Sequence, residues 1–206
     1  MIEQASSESA AEILFSVIRQ RRSVRAFRPE PVPDEHVELL VDAARYAPTA
    51  GNRQPWCFLV VRDRENLERL RARLEPWLCQ RIEASETTPE GRARRLESAL
   101  AYLDGILVAP LFVFIFVDAS TYPDLVAYDG ALAAGNLMLA ARVLGYGTCF
   151  QTTFFPEEIV RAYFGVPEEF RFIGAVPVGR PVEWPPTPPK KPIAELVCYE
   201  RIEEES

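Results

Sequence analysis

PLFVFIFVD, residues Pro110–Asp118, is apolar at every position between its proline and its aspartate. A strand with one wet face alternates apolar and polar residues, so this unbroken run predicts a strand covered on both faces at the centre of a sheet. C-terminal to it, Leu125–Leu144 is a long apolar segment rich in Ala and Gly. It carries Asp129, Asn136 and Arg142, which a bilayer disfavours, and it reads as a buried, closely packed helix that stops at Gly145. WCFLVVR (Trp56–Arg62) and Phe170–Gly179 predict further strands, with a brief one near Gly147–Phe150. Helices are predicted over Ala10–Arg21, with Ile13, Leu14, Val17 and Ile18 as its apolar stripe, and from Asp34 to the break at Pro48, with Val37, Leu40, Val41 and Ala44 on one face. A charged helix over Glu65–Leu78 and one over Pro156–Phe164 complete the set. Strands interspersed with helices, without a repeat or a boundary, predict a single α+β domain over 1–206, a mixed α/β sandwich. Within it, residues 1–9 are expected to be flexible, and the polar 80–95 segment, punctuated by Thr87, Thr88, Pro89 and Gly91, to be a lid-like insertion. The Pro-rich 181–206 segment is expected to form an extended C-terminal arm.

The chain has 206 residues, with 23 Lys and Arg against 30 Asp and Glu, a formal charge of −7. That balance argues against nucleic acid, whose binding needs a broad basic surface. No basic stretch followed by an apolar core marks a signal peptide, so the expected location is the cytoplasm and no membrane partner is expected. Cys57, Cys79, Cys149 and Cys198 are scattered beside apolar sequence and predict buried free thiols. The single histidine, His36, reads as a surface helix residue, and the Cys/His cluster of a zinc site is missing.

Against that acidic background, RQRRSVRAFR (Arg19–Arg28) crowds five arginines into ten residues. Guanidinium groups so close repel one another unless an anion offsets the cost, and their planar donor fork matches phosphate oxygens. A solvated helix face or a DNA-binding patch are the competing readings. The second polar constellation is YAPTAGNRQPW (Tyr46–Trp56), a Pro- and Gly-punctuated turn offering Thr49, Asn52 and Gln54 to a planar heterocycle or to ordinary local turn bonding.

The order R-R-S-x-R-x-F followed by A-P-T-x-x-N-x-Q-P-W resembles the FMN-dependent nitroreductase family. The resemblance extends through the Asp129–Asn136 helix, the Leu144–Thr148 exit, Val178–Pro181 and the stretch ending at Lys190-Lys191-Pro192, and so covers roughly residues 13–199. It implies a central, mainly antiparallel sheet flanked by helices and a domain-entwined homodimer, whose C-terminal segments wrap the partner. It implies FMN held by Arg21, Arg22, Ser23, Arg25 and Lys190 at the phosphate, with Pro48, Thr49 and Asn52 approaching across the dimer interface. Gln151 and Thr152, with Phe150 and Thr153 beside them, fall where relatives place donors near the flavin ring. The implied reaction is ping-pong: NADH or NADPH delivers hydride to flavin N5, and a small electron acceptor such as a nitroaromatic or quinone then takes it, with no catalytic side chain required. A flavin-binding sensor, a reductive dehalogenase of iodotyrosine and an enone reductase are the alternatives on the same scaffold. The dehalogenating branch's Glu-Tyr-Lys lid order is missing here, and the turn before Gln54-Pro55-Trp56 differs from that of the flavin-fragmenting branch.

Overall fold

The computed structural model describes residues 7–201. Four antiparallel strands, β1 (Trp56–Val61), β2 (Leu111–Asp118), β3 (Gly147–Thr148) and β4 (Phe170–Gly179), form one sheet in the order β1-β2-β4-β3. The unbroken apolar run of β2 follows from its place between β1 and β4 and from the two-residue period of a strand. Phe112, Phe114 and Phe116 face one way, onto Leu67, Leu70 and Leu74 of α3 (Arg64–Ser85), Leu103 and Ile106 of α4 (Pro89–Leu107) and Val160 of α6 (Glu157–Phe164). Leu111, Val113 and Ile115 face the other way, onto Leu40 and Ala44 of α2 (Asp34–Arg45) and Ala133, Leu137 and Ala141 of α5 (Val126–Val143). The result is the expected α+β sandwich, helices on both faces of an antiparallel sheet. Each fully buried Leu or Phe contributes on the order of 1.5–3 kcal/mol. No helix among the described residues is long and apolar enough to cross a membrane.

Several local expectations are corrected. α3 continues past Pro76 to Ser85 and keeps Leu78 and Ile82 buried, so residues 80–95 are two helix ends joined by Glu86–Thr88 rather than an irregular insertion. The residues read as loop punctuation start α4: the Thr88 hydroxyl accepts from the Gly91 amide at 3.2 Å, and Pro89 occupies the first turn, where its missing N–H costs nothing. Helix α1 (Ser7–Gln20) takes in Ser7, Glu8 and Ser9 of the segment expected to be flexible; residues 1–6 lie outside the described ones. Its stripe is not buried, with Ile13 62% exposed and Leu14 53%. Cys57 and Cys198 are exposed, and only Cys149 is buried outright. His36 is half-buried, its Nδ1 2.8 Å from the Tyr146 hydroxyl, rather than a free surface residue.

After α1 the chain runs extended. The segment Arg21–Arg28 is strapped to the sheet edge by Val24 N–H donating to Thr148 O (2.9 Å) and Arg28 N–H to Arg180 O (2.8 Å). The Pro-rich arm returns alongside, with Val182 N–H donating to Ala26 O at 3.0 Å. The strap lies so close to β3 that a Cβ on Gly147 would stand 2.5 Å from Val24 Cγ2. Gly147→Ala is therefore expected to destabilise the protein by about 1–3 kcal/mol, through overpacking. Denaturant unfolding measures this, and an unchanged midpoint would show that Val24 moves aside freely.

Candidate functional site

Because the strap is extended rather than helical, its side chains do not spread around a helix. Arg21, Arg22, Ser23 and Arg25 line one cleft of about 400 Å³ together with Pro185, Pro186, Pro188 and Lys190 of the arm. The sequence positions are far apart, and the arm's backbone pairing with Ala26 brings them together. No carboxylate lines the cleft, and none of these cations has an ion-pair partner among the described residues. Lys190 lines it and Lys191 does not. The cations are not equivalent. Arg22 is committed to the scaffold: it donates to Arg19 O (2.6 Å) and Arg21 O (2.7 Å), capping the end of α1, and to the Thr187 hydroxyl of the arm. Arg25 donates to Ser23 O at 3.2 Å, while the side chains of Arg21 and Lys190 make no hydrogen bond among the described residues and remain available to a ligand. Four positive charges in one cleft without a counter-charge form a site for a polyanion, and a phosphate monoester fits the mixture of guanidinium, ammonium and hydroxyl donors.

Gln151 continues this edge. Its backbone exchanges hydrogen bonds with Ala175 (2.8 and 2.9 Å), so the Gln151 amide is not free for a ligand as the resemblance implied. Its buried side chain turns inward, with both amide atoms 3.0 and 3.1 Å from the Tyr102 hydroxyl. Thr152 and Thr153 are exposed residues whose amides have no backbone partner among the described residues, and they are the donors left on this loop. Tyr102 itself joins the site: the Arg25 guanidinium lies over its ring at 6.0 Å, and Phe154 stacks on it at 4.5 Å. No sequence signal marked Tyr102, which lies on the unpredicted helix α4, nor Thr187 within the prolines.

Pro48, Thr49 and Asn52 stand elsewhere. Their turn is tight and unusual, with Gly51, Asn52 and Gln54 all at positive φ (60°, 52° and 51°), a conformation that costs non-glycine residues energy. Thr49 holds it from within, its carbonyl accepting from Asn52 N–H at 3.0 Å and its hydroxyl from Gln54 N–H at 3.2 Å. For Thr49 and Gln54, local turn bonding is thus what the structure shows. The exposed Asn52 side chain makes no bond among the described residues. The turn leads into β1, whereas the arginine strap lies along β3, at the opposite edge of the sheet. Thr148 is level with Leu111, and Trp56 with Val117, so the two segments occupy diagonal corners. Strand geometry puts them about 20 Å apart along the strands and, over four inter-strand spacings, about 19 Å across the sheet. One copy of the chain does not bring them together.

Comparison with known proteins gives a consistent picture. Residues 18–180 match the model of the nitroreductase family. A protein of Archaeoglobus fulgidus with the provisional name NADH dehydrogenase/NAD(P)H nitroreductase is 32% identical over 82% of this chain and 86% of its own length. The 5,6-dimethylbenzimidazole synthase of Rhodospirillum rubrum is 31% identical, with 85% of each chain covered. Among solved structures, an iodotyrosine deiodinase bound to FMN and 3-iodo-L-tyrosine superposes with a TM-score of 0.76 at 26% identity, covering 92% of this chain and 100% of that one.

Proposed function

The chain belongs to the nitroreductase family, and on that premise we propose that it is an FMN-dependent oxidoreductase, with NADH or NADPH as donor and a flat, electron-poor small molecule as acceptor. The observation that carries this reading is the cleft where Arg21, Ser23, Arg25 and Lys190 face one another without a carboxylate. Those residues fit the phosphate of FMN: charge-assisted donors converge on one volume, and Arg22 and Thr187 hold strap and arm in register. When bound, FMN supplies the redox chemistry, accepting hydride from the nicotinamide and passing it to the acceptor. The chain's own residues bind and orient. Arg25 and Tyr102 form a cation–aromatic wall beside the cleft, and the Thr152 and Thr153 amides offer donors further along the same edge. No side chain is assigned a proton-transfer role.

We further infer that the working unit is a homodimer. The Pro48–Asn52 turn and the arginine cleft lie on diagonal corners of one sheet, so a site containing both requires the turn of a second copy. The arm points the same way: Ile193 is 78% exposed, Leu196 64% and Tyr199 84%, and the α1 stripe is bare as well. Apolar surface on that scale marks an interface rather than scattered exposed residues.

Each charge-assisted hydrogen bond contributes about 1.5–3 kcal/mol, so Arg21→Ala combined with Arg25→Ala is expected to weaken FMN binding by about a hundredfold or more. Titration of the apoprotein, followed by quenching of flavin fluorescence, measures this; an unchanged Kd would remove the phosphate assignment. Light scattering is expected to give twice the chain mass for the FMN-loaded protein. A monomer that retains FMN and turnover would contradict the shared site.

A further inference from the structure

On the far side of the Tyr102–Phe154 stack lies a second, smaller pocket. It is about 180 Å³, below the roughly 300–1,000 Å³ typical of drug-sized ligands, and has room for one ring with a short substituent. Its walls come from the two helix ends that replace the expected irregular insertion and from the loop after Gln151. Trp77 and Phe154 give it flat apolar sides, and Arg81 and Arg95 supply two positive charges. Contacts connect it to the phosphate cleft in three steps: Arg25 over Tyr102 (6.0 Å), Tyr102 stacked on Phe154 (4.5 Å), and Phe154 lining the pocket.

Arginines on exposed helices are usually solvated charges. Two features set this pair apart. Arg81 has no carboxylate within ion-pair distance among the described residues; it lies over the Trp77 ring at 5.0 Å and reaches Thr153 O only at 3.5 Å. Arg95 has one, Glu86, at 3.9 Å, the outer edge of such a contact. Glu86 is already engaged with the amide and hydroxyl of Thr88, each at 3.1 Å, and those bonds hold its carboxyl below the usual carboxylate range. Two guanidinium groups therefore share a ring-sized volume with one distant, occupied counter-charge.

We propose that this pocket is the acceptor subsite and that it selects a single-ring aromatic carboxylate, the ring lying against Phe154 and the carboxylate meeting Arg95 and the Arg81 guanidinium that covers Trp77. This deepens the oxidoreductase reading and rests on it for the word acceptor, but not for binding. Stacking on Trp77 leaves the Arg81 fork free at its edge, and a carboxylate accepts two parallel N–H donors from such a fork.

The test compares 4-nitrobenzoate with nitrobenzene as acceptors for the FMN-loaded protein, and separately measures binding of benzoate, which cannot be reduced, by tryptophan fluorescence. The expected result is a kcat/KM at least about tenfold higher for 4-nitrobenzoate, from one charge-assisted contact. That selectivity, carried in KM, and benzoate binding are both expected to vanish in Arg81→Gln/Arg95→Gln. The single variant Arg81→Gln, with a far-ultraviolet spectrum matching that of the unaltered chain, gives the same reading if the double variant fails to fold. Equal kcat/KM for the two acceptors, or selectivity that survives the double substitution, overturns the proposal. So does a double variant that loses only a preference between NADPH and NADH, which would make the arginines a 2′-phosphate site. Benzoate binding without any turnover would sink the oxidoreductase reading and leave the pocket standing.

Discussion

Backbone hydrogen bonds between the Arg21–Arg28 strap and the sheet edge at Thr148 and Arg180 determine where every charge of the cleft stands. Had the first helix continued past Gln20, its 3.6-residue period would have scattered the arginines around a cylinder. Pinned in extended form, they repel one another across a single volume, and Arg22 spends its own donors on backbone carbonyls and Thr187 to hold that arrangement. The absence of a Cβ at Gly147 permits the close approach, and the return of the arm along Ala26 brings Lys190 to the same place. A folded chain retains such crowding when an anion offsets it. The phosphate reading of the cleft follows from that constraint before any likeness to other proteins is considered.

The parts of this architecture that were legible in the sequence are those where one physical signal dominates. PLFVFIFVD announced a doubly covered strand because no polar residue interrupts it, and the structure supplies a helical layer for each set of alternate side chains. The arginine run and Lys190 were visible because identical charges cluster against an acidic background. Helix α4 was not visible: its buried residues are concentrated in its last turns, and its start, Thr88-Pro89, carries the same residue types as a loop. A helix cap is told from a turn by the apolar period of the residues after it, and the polar first turns of α4 supply little of that contrast. Tyr102 was hidden for the same reason. The exposure of the α1 stripe was hidden for another, since periodicity shows that a face is apolar and says nothing of which molecule covers it.

Family membership narrows the chemistry more than it narrows the substrate. Relatives of similar identity carry names as different as NAD(P)H nitroreductase and 5,6-dimethylbenzimidazole synthase, and a structure of the same fold holds an iodinated amino acid. Elements outside the phosphate cleft are free to set the choice of substrate. In this chain the candidates are the helix ends at Trp77–Arg95 and the turn at Thr49–Gln54. The turn stores backbone strain at Asn52 and Gln54, while at the helix ends Arg81 has no carboxylate within ion-pair distance among the described residues and Arg95 has only Glu86, at 3.9 Å. The sheet edge thus places the arginine cleft, while the helix ends and the turn are elements that the sheet only supports.

Whether a reducible flavin sits beside the arginine strap is tested most directly by a visible absorption spectrum of the purified protein. It is loaded with FMN, and the spectrum is recorded before and after anaerobic addition of NADH or NADPH. The expected result is a bound-flavin spectrum that bleaches with at least one of the two donors. A flavin spectrum that neither donor bleaches would contradict the oxidoreductase reading in favour of a sensor, and failure to bind FMN at all would contradict the phosphate assignment on which the rest is built.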